Sequence, residues 1–259
     1  MKMRGMLLLV AILAVGTLSG SFAARANSLG PPPISLIATS SVGGDVLSLT
    51  PTAVANPDGS FSVAEAETVP SFSLSIDLTV RTDPTVAGSF TLTNLSSTTQ
   101  FFSVSATLGI LPIPGPQTRI GGFYGDVTYT DANGDSSVTI ATNGVDPFYA
   151  AQIDGVTVVG LGSFNNTAFG GPHVFGTISQ QLFGTPIPSA VGPQALSSIG
   201  VAFPAFSVTP GDSIQVPFEF VVENGVPEPS FASLFATGTA LILLARNCKK
   251  FFSSAQVLW

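Results

Sequence analysis

The densest set of metal-capable oxygens in this sequence is Asp131-Ala-Asn-Gly-Asp135. Asp131, Asn133 and Asp135 alternate, and hard oxygen donors at that spacing can converge on Ca²⁺, with Asp126 as a further donor. The run lacks the later glutamate of an EF-hand loop, and no helical pattern flanks it. Val127–Tyr129 and Val138–Ile140 on either side predict a hairpin whose turn this is, because Asn and Gly tolerate positive φ. The plain turn is the first reading and a calcium-stabilised turn the alternative; no cofactor other than that calcium is considered.

His173 is the single histidine. A nucleophilic triad would need a serine and a carboxylate beside it. No Gly-x-Ser-x-Gly elbow occurs, and Gly211-Asp-Ser-Ile-Gln215 is the nearest approach. Beside Gly170-Gly-Pro172 the histidine reads as an exposed loop residue. No catalytic residue is therefore assigned, and the chain is not expected to be an enzyme. One histidine and no cysteine within 27–226 also leave no ligand set for a tightly held zinc. Asn94-Leu-Ser96 and Asn165-Asn-Thr167 fit the glycosylation pattern but read as loop polar residues. Ice binding would need a flat, regular threonine array, and Thr91-Leu-Thr93 is too little.

The elements that must hold these residues are strands. Phe72, Leu74, Ile76, Leu78 and Val80 alternate with Ser73, Ser75, Asp77, Thr79 and Arg81, which puts one apolar face on the segment 71–81. Ser213–Val222 repeats the pattern, and Pro217 in its middle places that strand at an edge or a bulge. Further short runs are expected at 34–38, 46–49, 61–64, 89–95, 101–108, 124–129, 138–141, 155–161, 174–181 and 205–208. Many short strands between turn residues predict an all-β, antiparallel β-sandwich over 27–225. Asn56-Pro-Asp-Gly59 marks a turn, and 182–204, rich in Pro, Gly, Ser and Ala, reads as a long loop.

Charge divides the chain in three. The eight basic residues are Lys2, Arg4, Arg25, Arg81, Arg119, Arg246, Lys249 and Lys250. Residues 27–226 hold only two of them against fourteen acids, a formal charge of −12. Such a domain does not suit nucleic acid, whose phosphates need clustered Lys and Arg. At the N-terminus, Lys2 and Arg4 precede an apolar stretch, Met6–Leu18, and Ala24-Arg25-Ala26 follows as a small-x-small site. That order predicts an export signal peptide over 1–26. The sole cysteine, Cys248, falls beyond the exported part, which therefore has no disulfide. At the C-terminus, Val226-Pro-Glu-Pro-Ser230 cannot begin a helix at its prolines. An apolar run of 15 uncharged residues, 231–245, follows. As a helix it would be about 22 Å long, and Arg246, Lys249 and Lys250 could extend its reach into a roughly 30 Å hydrocarbon core by snorkelling. The basic residues after the run match the positive-inside pattern, so a transmembrane helix is expected there.

Pro227, Glu228 and Pro229, the apolar run and the basic group opened by Arg246 together resemble the PEP-CTERM sorting signal of Gram-negative bacterial surface proteins. The same signal is sometimes labelled the C-terminal domain of ice-binding proteins, a label without an activity. The resemblance covers 226–250, and here a tail, 251–259, continues past the basic group. It implies an exosortase-like processing enzyme as partner, cleavage near the motif, and a link to exopolysaccharide or biofilm matrix. The stretches 93–100, 121–127 and 131–135 are also similar to ectodomains that accompany this signal. Composition and resemblance together predict a membrane-tethered, then surface or extracellular, structural or adhesive protein. A carbohydrate-binding module is the alternative, weakened by the lack of tryptophan and the presence of only Tyr124, Tyr129 and Tyr149 in the exported part. A secreted hydrolase centred on His173 is the second alternative.

Overall fold

Strands carry the whole fold in the computed structural model, which describes residues 31–225 apart from positions 42, 82 and 114. In chain order they are β1 (Ile34–Ser40), β2 (Val46–Leu49), β3 (Val54–Ala55), β4 (Phe61–Val69), β5 (Phe72–Arg81) and β6 (Thr85–Asn94). β7 (Gln100–Gly109), β8 (Gln117–Tyr124), β9 (Val127–Thr130), β10 (Ser137–Thr142), β11 (Tyr149–Ile153) and β12 (Val156–Leu161) follow. The last six are β13 (Asn165–Phe169), β14 (Phe175–Ile178), β15 (Gln181–Phe183), β16 (Ala190–Pro193), β17 (Ser198–Val208) and β18 (Ser213–Asn224). The expected signal peptide, Pro227, Glu228, Pro229, Arg246 and the span 231–245 lie outside the described residues. Among those described, no helix is long and apolar enough to cross a membrane.

All pairings are antiparallel and make two sheets. The first runs β2-β1-β7-β17-β11-β12, with β10 on the remaining half of β17 and β13 beyond it. The second runs β3-β4-β5-β6-β18, after which β9 and β8 share the far side of β18, β14 flanks β9, and β15 and β16 flank β8. The inner faces share one apolar core. Phe90 of β6 meets Phe203 of β17 edge-on at 4.9 Å, and Phe72 of β5 meets Phe102 of β7 at 5.7 Å. Such edge-to-face pairs add to the burial of large rings. The sheets are also joined by a hydrogen bond from the Tyr149 hydroxyl to the Glu219 carbonyl, 2.9 Å. Gly122 permits it, since a Cβ there would lie 2.4 Å from that carbonyl and 2.9 Å from the hydroxyl.

β5 is as the alternation predicts, buried at every second residue. β18 is not an edge strand: it is central, with β6 on one side and β9 and β8 on the other. Pro217 is tolerated because its carbonyl accepts from Gly125, in the gap between β8 and β9. In an antiparallel strand a residue's N and O face the same neighbour, so the missing donor also points into that gap. The expected loop 182–204 is a second departure, for it contains β15, β16 and most of β17. β17 hides from a period-two reading because it is buried on both faces, with Gly200 and Ala202 on one and Ile199, Val201 and Phe203 on the other. Pro204 and Ala205 sit in the register shift between Phe203 and Phe206. The third is the hairpin expected around 131–135. β9 and β10 belong to different sheets, so the segment is a crossing between them.

Candidate functional site

The crossing 131–136 meets the crossing 170–174, which joins β13 to β14, and the 209–212 turn that enters β18. Asp131 organises this pole. It is fully buried, and each of its oxygens accepts two backbone amides: Oδ1 from Gly134 at 2.7 Å and Asp135 at 3.1 Å, Oδ2 from Ser136 at 2.9 Å and His173 at 3.0 Å. Burial pushes its carboxyl up, but the four amides outweigh that and hold it below the usual carboxylate range. Asn133 accepts from the Asp135 amide at 2.8 Å and donates to the Pro210 carbonyl at 2.7 Å. Asp135 Oδ1 accepts from the Ser137 amide at 3.1 Å. The three residues expected to share calcium thus converge on backbone donors. Asp126 is not with them; it accepts from the Gln180 amide at the other end of β9, about 16 Å away for five extended residues. Among the described residues, no three His, Cys, Asp or Glu side chains are arranged to hold a metal ion.

His173 is exposed, in the left-handed region with φ 63°, and its Nδ1 lies 3.1 Å from the Asp131 carbonyl oxygen. The ring is therefore oriented by main chain and not by a carboxylate. Asp212, from the Gly211–Gln215 stretch, enters the same pole and leads directly into β18, so no nucleophile elbow forms. Its side chain is buried; Oδ2 accepts from the Thr209 hydroxyl, and Oδ1 has no partner among the described residues. Burial pushes this carboxyl up to about 6; the Thr209 hydroxyl opposes the rise, and the charges of Asp135 and Asp131 add to it. Asn94, expected as a loop residue, ends β6 fully buried, and its side-chain amide donates to Thr98 and Val208 carbonyls.

The same use of carboxylates recurs elsewhere. Asp154, at φ 51°, accepts from the amides of Leu196, Ser197 and Ser198 at 2.7–2.9 Å. Burial again pushes upward and the amides win, so its carboxyl is held low. Asp45 takes the Ser71 amide at 2.9 Å. Asp58 takes the Ser60 hydroxyl and amide, which hold its carboxyl low, and forms an exposed ion pair with Arg81 at 3.3 Å. In this acidic, lysine-free domain Asp45, Asp58, Asp131 and Asp154 are thus stabilised as carboxylates by backbone N–H groups at loops. Sequence reading missed Asp154 and Asp212; an Asp-Gly turn and a buried-strand entry were the available signals.

A second feature spans the outer face of the second sheet. Thr68, Ser73, Thr93, Ser213 and Thr130 stand in register across β4, β5, β6, β18 and β9, and Phe175 of β14 completes the row. The neighbouring row reads Ala66, Ser75, Thr91, Gln215, Thr128 and Thr177. The alternating residues Leu74, Leu92, Ile214 and Tyr129 are buried, so both rows face outward. A shallow depression of about 310 Å³ lies over part of them, lined by Glu67, Thr68, Ser73, Ser75, Thr91 and Thr93. At the end of the domain where β18 finishes, a cleft of about 680 Å³ is bordered by Pro31–Pro33, Arg81, Ile110–Ile113 and Asn224.

No family model matches the chain, and no curated protein matches it. Among solved structures it is similar to the carbohydrate-binding module TmCBM61 in complex with β-1,4-galactotriose, at 10% identity and a TM-score of 0.22, over 66% of this chain and 86% of that one. It is also similar to a galactose mutarotase related enzyme from Lactobacillus acidophilus, at 10% identity and a TM-score of 0.26, over 72% and 78% of the two chains. Likeness at these scores carries no functional argument.

Proposed function

We propose that this chain is an exported surface or extracellular-matrix protein, structural or adhesive in role, sorted through Pro227, Glu228, Pro229 and Arg246 by an exosortase-like enzyme at the inner membrane. The carrying observation is that Pro31–Pro33 and Asn224 border one cleft. The first and last described residues therefore lie at the same end of the domain. β18 has 12 residues, about 36 Å of extended chain, so the Asp131 pole, which packs against the turn entering β18, lies at the opposite end of the domain from that cleft. An acidic body with two arginines and no lysine supports solubility outside the cell and avoidance of nucleic acid. The orientation of His173 by a carbonyl favours a binding or structural role over hydrolysis.

Intact-mass measurement on membrane and medium fractions tests this reading. The expected result is loss of the first 26 residues or so, with released material ending near residue 230. Unprocessed chain in the cytosol would sink it.

A further inference from the structure

We propose that the outer face of the second sheet binds an extended, uncharged polysaccharide, with Phe175 stacking on a sugar ring and the Ser/Thr rows hydrogen-bonding the polymer's hydroxyls. This deepens the matrix reading by naming a binding surface and the ligand chemistry. Six strands at about 4.8 Å spacing make each row about 24 Å long. The hydroxyls and the Gln215 amide both donate and accept, as a neutral glycan's hydroxyls do. Their side chains are short and stand on a sheet, so little freedom is lost when they are engaged.

Charge selects the polymer. Neither row contains an ionised group, although the domain around them is strongly acidic. Acids flank them: Glu67 borders the depression beside Thr68, Asp77, the partner of Ser89, stands one row further on, and Glu219, the partner of Ala87, two rows on. An anionic polymer laid on the rows would be repelled by those carboxylates; a neutral one would not. The aromatic platform is Phe175, 67% exposed and in register with Thr130. The tyrosines considered for this task are unsuitable, because Tyr124, Tyr129 and Tyr149 are at most 5% exposed. Sugar recognition by one apolar ring face and several placed hydroxyls follows the usual division of labour in ligand sites.

Affinity electrophoresis of the full-length chain tests this, in gels containing a soluble β-glucan, a β-galactan or, as the anionic control, alginate. Retardation is expected in at least one neutral gel and not in alginate. Phe175→Ala and the triple variant Thr91→Val/Thr93→Val/Thr128→Val should each bind about tenfold more weakly or worse. Valine keeps the shape and strand preference of threonine and removes only the hydroxyl. Thr107→Val, on the outer face of the other sheet, should bind as the parent does. Thermal melting monitors folding, and Ser75→Ala, exposed on β5, replaces the triple variant if that one melts early. Passage through both neutral gels unretarded, preference for alginate, or full retention by the folded variants would overturn the proposal. So would inhibition of ice growth without glycan binding, which would give the array to ordered water. Binding in the gel and processing in the cell are separate readouts, so either reading can fail alone.

Discussion

Asp212→Asn offers the sharpest test of the buried pole. The native carboxyl is raised from 3.8 to about 6, chiefly by burial. A raised acid holds its proton in the folded state where the unfolded chain has lost it. The contribution to stability is therefore full below about pH 4 and is lost as pH rises through about 6; above that the curve is flat. A shift of this size has a ceiling of about 3 kcal/mol, and water reaching the loops screens it to about 1–2 kcal/mol. Asparagine cannot ionise and still accepts from Thr209. The variant should match the parent near pH 4 and exceed it by about 1–2 kcal/mol at pH 7, a rise of about 2–8 °C in Tm for a domain of this size. Asp131, Asp154 and Asp58, all held low, act in the opposite sense and produce loss of stability below about pH 4 in both proteins. Urea denaturation of both proteins from pH 3 to 8 measures this. An identical slope between pH 4 and 6 in the two proteins would refute the reasoning.

Two other substitutions probe how the sheets are joined. Asp131→Asn turns an NH₂ toward two of the four amides that its oxygens now accept. Its Tm should fall well below that of Asp135→Asn, whose side chain is at the surface; equal losses would mean that the crossing is not held by Asp131. Gly122→Ala forces a methyl against the Glu219 carbonyl and the Tyr149 hydroxyl and should cost about 1–3 kcal/mol in chemical denaturation. A neutral result would show that the sheets can separate locally at no cost.

The carboxylate pole and the hydroxyl face differ in how far they could be read beforehand. Asp131, Asn133 and Asp135 are visible as an oxygen-rich run, but their partners are not. Those partners are amides, including that of His173, which lies 42 positions away. The hydroxyl rows are less visible still. Thr91-Leu-Thr93 is two members of an array whose others come from β4, β5, β18, β9 and β14. Of β17 only 205–208 is expected; 198–204 escapes because alternation disappears once both faces of a strand are buried.

What the sequence determined unaided is local. A period of two decides which side chains share a face, so β5 and β18 are legible residue by residue. The separation of basic termini from an acidic middle, and the absence of cysteine and lysine from that middle, are likewise fully present in the string of residues. Only the tertiary structure decided which strands become neighbours, that 131–136 crosses between sheets, and that hydroxyls from six strands line up. The reason is physical: register between distant strands is chosen by the packing of their inner faces, Phe90 on Phe203 and Phe72 on Phe102 among them. The outer faces inherit that register without having specified it.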